Sequence, residues 1–176
     1  MAKDNVNHPQ HYNQHPAGIE CIDVIRHYTC DMANALKYLW RAGLKTEPGK
    51  DDVDKEIEDL EKALWYIEDY QNSRDHHIAE AKPELMESYI QSVTEHTPFE
   101  ITTGYDDSIS LAIFQLLQMG LVVNGAVYAV YGWPKMLDDC KALIQHRILK
   151  INAAAAKQGI KEIREMLGVE TADTDN

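Results

Sequence analysis

Asn34-Ala35-Leu36-Lys37-Tyr38-Leu39-Trp40-Arg41-Ala42-Gly43-Leu44-Lys45 is the stretch on which the reading of this chain turns. Placed on a helix at about 100° per residue, it divides into two faces. Met32, Ala35, Leu36, Leu39, Trp40 and Gly43 fall on an apolar side. Asn34, Lys37, Tyr38, Arg41 and Lys45 form a narrow stripe opposite. Arg forks two oxygens, Lys supplies a mobile point charge, and Asn and Tyr add neutral hydrogen bonds. The stripe therefore reads either as a site for a phosphorylated ligand or as an ordinary solvated helix face.

Outward from this helix, residues 51–72 carry Val53, Ile57, Leu60, Leu64 and Ile67 at spacings of four and three. That seam predicts a helix packed on another helix. Its other face bears Asp52, Lys55, Asp59, Lys62, Tyr66 and Tyr70, which reads as intrahelical ion pairing. If that face meets the central stripe, Asp59 and Lys62 join Lys37 and Arg41 around one pocket, where a carboxylate holds the cations in place or binds a ligand hydroxyl. Upstream, residues 19–29 predict a short helix with Glu20, Asp23 and His27 on one side. Carboxylates there suit a ribose hydroxyl, a base edge or proton transfer, or simply face solvent. Asp31 is the expected cap of the central helix and Gly43 its stop.

Residues 1–18 read as a polar loop broken by Pro9, Pro16 and Gly18. His8, His11 and His15 are close enough to suggest a zinc site, but no closing ligand follows. A lid that brings His8, His11 and Tyr12 to a ligand suits the loop better.

Downstream, residues 73–83 read as a polar linker, 83–93 as a short helix and 94–106 as irregular, with a brief extended piece at 99–103. Residues 107–133 are the most apolar part of the chain. Ser110, Gln115, Gln118 and Asn124 interrupt them and no basic cluster flanks them, which argues against a membrane span. They predict a helix buried in the core or between subunits, and hence a homo-oligomer. Residues 134–167 predict one or two amphipathic helices with a break at Gly159, and 169–176 a frayed tail. The expected class is all-α: an N-terminal three-helix module over 1–72 and a C-terminal helical extension over 84–168.

The chain of 176 residues carries a net charge of −12, unevenly spread. Residues 1–46 hold five Lys/Arg and four Asp/Glu, residues 47–107 five and eighteen, and residues 108–176 seven of each. So acidic a protein is a poor partner for duplex nucleic acid, whereas a small anion needs only a local cationic cluster. Three separated cysteines and a polar N-terminus are what a reducing cytosol leads one to expect, with no disulfide framework and no signal peptide.

Four ordered blocks carry a family resemblance. They are Asn7-His8-Pro9-Gln10-His11-Tyr12, Gly18-Ile-Glu-Cys-Ile-Asp-Val-Ile25, Asn34 through Lys45, and Asp59-Leu-Glu-Lys-Ala-Leu-Trp-Tyr66. Together they resemble a family of small helical phage proteins, one branch of which is the deoxynucleoside monophosphate kinase of short-tailed coliphages. Ala33 departs from the Gly that usually precedes the Asn in that family. The kinase lacks a Gly-rich phosphate loop, and GxxxxGK[ST] is likewise missing here. The resemblance implies nucleotide chemistry in the cytoplasm of an infected host and does not cover residues 84–176. It places His11, Tyr12, Glu20, Asn34, Lys37, Tyr38, Arg41, Lys45, Asp59 and Lys62 at recurring positions.

The leading expectation is phosphoryl transfer to a deoxynucleoside monophosphate, with Arg41, Lys37 and Asp59 catalytic. No metal ligands are assigned. A magnesium ion is the one cofactor considered, with Asp59, Asp23 and Glu20 as its conceivable ligands. One alternative is a non-catalytic protein that sequesters a host nucleotide signal. Another is an all-α nucleotide pyrophosphohydrolase that uses the acidic run 54–59, although a second matching acidic motif is lacking.

Overall fold

The computed structural model describes residues 9–73 and 78–167. Helix α3 (Cys30–Arg41) and helix α4 (Asp52–Asn72) form the central pair. Met32, Ala35, Leu36, Leu39 and Trp40 of α3 are buried against Leu60, Ala63 and Ile67 of α4. The apolar stripe of α3 faces the core as far as Trp40, with Gly43 exposed past the helix end, whereas α4 is turned from its predicted seam: Ile57 and Leu64 are half-buried and Val53 exposed, while Lys55, Asp59 and Tyr70 of the face read as polar are buried. The Asp51 carboxylate caps α4 by accepting from Val53 N at 2.8 Å. Asp31 lies in the first turn of α3, not at its cap. The cap position is Thr29, whose N–H donates to Gly120 O at 2.8 Å. Gly43 follows α3 with φ of 75°, a left-handed geometry that suits a helix stop.

Two short helices precede this pair. Helix α1 (Gln10–Asn13) lies within the segment expected to be irregular, and α2 (Cys21–Ile25) is shorter than predicted. After α4 come strand β1 (Ile78–Ala81), helix α5 (Pro83–Thr94) and helix α6 (Pro98–Thr102). Then follow helix α7 (Asp107–Leu117), strands β2 (Met119–Val123) and β3 (Ala126–Val130), and helix α8 (Trp133–Met166). Helix α8 packs on α4 and α7. Arg147 of α8 pairs with Glu56 at 2.8 Å, and Gln71 near the far end of α4 bonds Asp138, so the two helices run antiparallel.

The all-α expectation is corrected by a three-stranded sheet in the order β1-β3-β2. β1 pairs parallel with β3, and β2 pairs antiparallel with it. The run 107–133 is therefore a helix followed by a hairpin, packed within its own chain. Asn124 and Gly125 both take positive φ, 50° and 79°, which a tight hairpin turn between twisted strands requires. The β-branched residues on either side complete the signal. β1 replaces part of the expected linker. The 98–102 piece is helical, because Thr97 and Glu100 form a reciprocal capping box. Gly159 does not break α8. A single glycine costs only about 1 kcal/mol relative to alanine in a helix, and good helix formers surround it.

The hairpin anchors the N-terminal helices. Val122 N donates to His27 O at 2.8 Å, and the Tyr28 hydroxyl donates to Leu117 O at 3.0 Å. At Gly120, φ is 70° and an added Cβ would sit 2.5 Å from Met32 Cγ. Only glycine allows the hairpin to approach α3 this closely. Among the described residues no helix is long and apolar enough to cross a membrane.

Candidate functional site

Helix periodicity delivers Asn34, Lys37, Tyr38 and Arg41 to one side of α3, and α4 brings Asp59, Lys55 and Lys62 against it. Arg41 Nε and Nη2 fork onto the two oxygens of Asp59, at 3.2 and 2.8 Å. Lys55 Nζ donates to the same carboxylate at 2.6 Å. Asp59 is 0% exposed, Lys55 1% and Arg41 7%. Two cations around one anion leave this buried group with a net positive charge. Asp59 sits beneath the cationic face and holds it in place.

The third Arg41 nitrogen, Nη1, donates to the Tyr12 hydroxyl at 2.9 Å. That hydroxyl is thereby an acceptor toward Arg41 and keeps its own proton for another partner. Trp40 Nε1 donates to Tyr12 O at 3.2 Å, which pins α1 over α3. Tyr38 lies amid three cations. Arg41 Cζ is 4.6 Å from its ring centroid, Lys37 Nζ 4.7 Å and Lys62 Nζ 5.7 Å. Tyr66 stacks on it at 5.8 Å. Asn34 accepts from Lys37 Nζ at 2.6 Å. Lys62 bonds Glu58, which Lys50 also contacts, and these two ammonium groups hold Glu58 well below the usual carboxylate range.

Crowding of like charges marks the upper edge of this face. Burial, then Arg41, pushes the Lys37 ammonium below its ordinary value, and Lys45 is lowered by the same two causes. His11, whose ring lies 4.3 Å from that of Tyr12, is lowered by burial and then by Arg41 and Lys45. Lys45 N donates to Arg41 O at 3.2 Å, but among the described residues its ammonium group makes no hydrogen bond or ion pair. An anion placed here would relieve all three groups.

Beside this face lies a cleft of about 220 Å³ between α1, α2 and α3. Pro9, Tyr12, Ile22 and Ile25 give it apolar walls, with Glu20 and Lys37 as its charged lining groups. The cleft thus contains both signs of charge. Cys21 also borders it, and burial pushes that thiol up to about 12, so it stays a neutral wall group.

Of the residues singled out in the sequence, Tyr12, Lys37, Tyr38, Arg41, Asp59 and Lys62 are joined by direct contacts, Asn34 through Lys37, and His11 through Tyr12. Glu20 meets the others at the cleft, and Lys45 approaches through its charge. His8 lies outside the described residues. Lys55 and Tyr66 complete the cluster and were not singled out. Lys55 stands four residues before Asp59, a spacing that suggests the pair but says nothing of its burial. His15 does not join the other loop residues. It is buried, stacked 5.0 Å from Trp40, with Nε2 3.0 Å from Ile101 O. Among the described residues no group of three or more His, Cys, Asp or Glu could hold a metal ion.

Residues 6–68 match the model of a family described as a protein of unknown function, DUF3310. That span includes every candidate residue from His8 to Lys62. Neither a curated protein nor a solved structure matches the chain.

Proposed function

We propose that this chain is a phage nucleotide kinase-like protein that binds a deoxynucleoside monophosphate and transfers a phosphoryl group to it in the host cytoplasm. The observation that carries the reading is the apolar cleft lined by Glu20 and Lys37 beside a crowded cationic edge. A planar base fits between Tyr12 and the Ile22 and Ile25 side chains. The Glu20 carboxylate accepts from a base N–H or a sugar hydroxyl. Lys37, Lys45 and His11 receive the phosphate, and the Tyr12 hydroxyl donates its remaining proton to a phosphate oxygen.

Transfer forms a bond from an acceptor phosphate oxygen to the terminal phosphorus of a triphosphate donor and breaks the bond to the leaving diphosphate. The second pKa of a phosphate monoester is about 6, so the attacking oxygen is mostly ionised at neutral pH and needs no general base. Asp59 is then a positioning residue that acts through Arg41 and Lys55. Catalysis rests on alignment and on charge stabilisation by Lys37, Lys45 and the fixed Arg41. The described residues offer no magnesium cage; such an ion enters on the donor's own phosphates.

The test is to incubate the protein with each deoxynucleoside monophosphate and a triphosphate donor, with and without magnesium, and to separate the products by chromatography. Diphosphate formed in proportion to protein, and lost in Lys37→Ala/Lys45→Ala, supports the reading. Absence of both turnover and retained nucleotide overturns it.

Sequestration without turnover is the second reading. It is favoured by the size of the cleft, about 220 Å³, which is smaller than the roughly 300–1,000 Å³ of most ligand pockets and does not enclose a second, donor nucleotide. A stoichiometric nucleotide released unaltered on denaturation would select it. Glu56, Glu58 and Asp59, on which a hydrolytic metal site would draw, each pair with a cation.

A further inference from the structure

We infer that the chain forms a homodimer through the free end of α8, paired antiparallel with the same segment of a second copy. The 34 residues of α8 run about 51 Å at 1.5 Å per residue. Up to Ile151 the helix packs on the body, whereas almost every residue from 152 to 167 is exposed. A lone helical arm of this length with Gly159 inside it is marginal in water. Yet Leu149, Ile160, Ile163, Met166 and Leu167 are all more than half exposed.

The arm carries its own pairing code. Leu149, Ala153, Ala156, Ile160, Ile163 and Leu167 repeat at spacings of 4, 3, 4, 3 and 4, a two-stranded coiled-coil seam. One antiparallel register satisfies all six positions. Leu149 meets the second copy's Leu167, Ala153 its Ile163, and Ala156 its Ile160. Each alanine faces an isoleucine, so small and large side chains alternate across the seam as close packing demands.

Area and the separation of the acidic bodies favour a second copy as the occupant. Residues 47–107 hold eighteen Asp/Glu against five Lys/Arg, whereas residues 150–167 hold two against four. Two copies that meet at their arms keep their acidic bodies apart. Half the side of a cylinder about 28 Å long and 10 Å across is roughly 450 Å² per copy. The two arms together bury roughly 900 Å², close to the ~1,000 Å² that a specific interface needs. Beside the seam, Lys157 faces its own counterpart and Lys150 faces the second copy's Arg164. Added salt therefore tightens this dimer, whereas it would weaken the hold of an acidic partner.

Sedimentation equilibrium of the full chain from about 1 to 100 μM tests this, with circular dichroism on the same samples. The wild type is expected to be a dimer. Ile160→Asp/Ile163→Asp should weaken it by at least about 30-fold without moving the unfolding midpoint of the body. Ala156→Ile and Ile160→Ala should each weaken the dimer, and the two together should restore it, because the exchange preserves the layer. A monomer at about 100 μM overturns the inference and assigns the face to another partner. A dimer indifferent to the aspartates, or weakened by salt, overturns it as well. Failure of the paired exchange to restore the dimer overturns the antiparallel register.

Discussion

Arg41 and Asp59 meet in a two-pronged ion pair between α3 and α4, with Lys55 on the same carboxylate. Asp59 has no contact with solvent. Removing it leaves two buried cations without a countercharge, and breaking a buried pair costs about 3–5 kcal/mol. Asp59→Asn should therefore lower stability by that order. Arg41→Met should cost less, because the Lys55–Asp59 pair survives. Urea unfolding of the two variants reads the difference, and equal losses would contradict the shared-carboxylate arrangement.

It follows that loss of activity in an Arg41 variant would not distinguish chemistry from folding. Lys37 and Lys45 separate the two. Each is lowered by burial and then by Arg41, so in the free protein lost hydration and a neighbouring cation disfavour their charged forms. Lys37→Ala/Lys45→Ala is expected to leave stability unchanged or slightly raised, while nucleotide affinity falls at least tenfold, about 1.4 kcal/mol. Isothermal titration at two salt concentrations, beside a melting curve, checks both parts. A marked fall in melting temperature would show these lysines to be structural.

The stripe of Asn34, Lys37, Tyr38 and Arg41 was legible in the sequence because it rests on one helix, where a period of 3.6 residues fixes which side chains are neighbours, whereas Lys45, read as part of that stripe, lies past the end of α3 and reaches the edge from the following loop. The packing of α4 on another helix was legible for the same reason, although α4 is turned from its predicted seam. Asp59 could be placed on the correct side of α4, but its burial could not be read, since that depends on how closely Arg41 and Lys55 approach from two directions. The sheet was obscured for a different reason. β1 is four residues long and its partner β3 lies nearly fifty residues downstream, so no local pattern announces it. The Asn124-Gly125 turn was present in the sequence, yet the apolar run on either side of it matched a buried helix equally well. His15 reads as part of a polar loop, and only the tertiary fold brings Trp40 and Ile101 to it.

That burial gives His15 a role in pH dependence. Ala17 N donates to its Nδ1 at 3.2 Å, so Nε2 carries the ring proton and donates to Ile101 O. Protonation would place a hydrogen on Nδ1 and expel the Ala17 donor. Burial is the main cause that lowers the His15 pKa from 6.5, with His96 adding to it. His11 is lowered as well. Below pH 6.5 the unfolded chain thus binds more protons than the folded one, and stability falls until the folded groups also titrate. The urea midpoint should be level above about pH 7 and decline as pH drops through 6 toward 5. An NMR titration of the His15 ring should give an apparent pKa below 6.5. A value at or above 6.5 would remove His15 as the source.

Gly120 and Gly125 allow a close approach to be separated from backbone strain. Both have positive φ, 70° and 79°. At Gly125 nothing lies within 4 Å of an added Cβ, whereas at Gly120 that atom would sit 2.5 Å from Met32 Cγ and 2.7 Å from Thr29 Oγ1. Gly125→Ala should cost only the strain of an unfavourable φ, about 1 kcal/mol. Gly120→Ala adds a clash against the first turn of α3, and overpacking costs a further 1–3 kcal/mol or so. Because Thr29 N and Val122 N bond across this contact, Gly120→Ala should also loosen the join between the hairpin and the helices that carry the site. Hydrogen exchange should show Thr29 and Val122 losing protection in Gly120→Ala and keeping it in Gly125→Ala. Equal destabilisation of the two variants would mean that the close approach of the hairpin to Met32 contributes nothing beyond the turn itself.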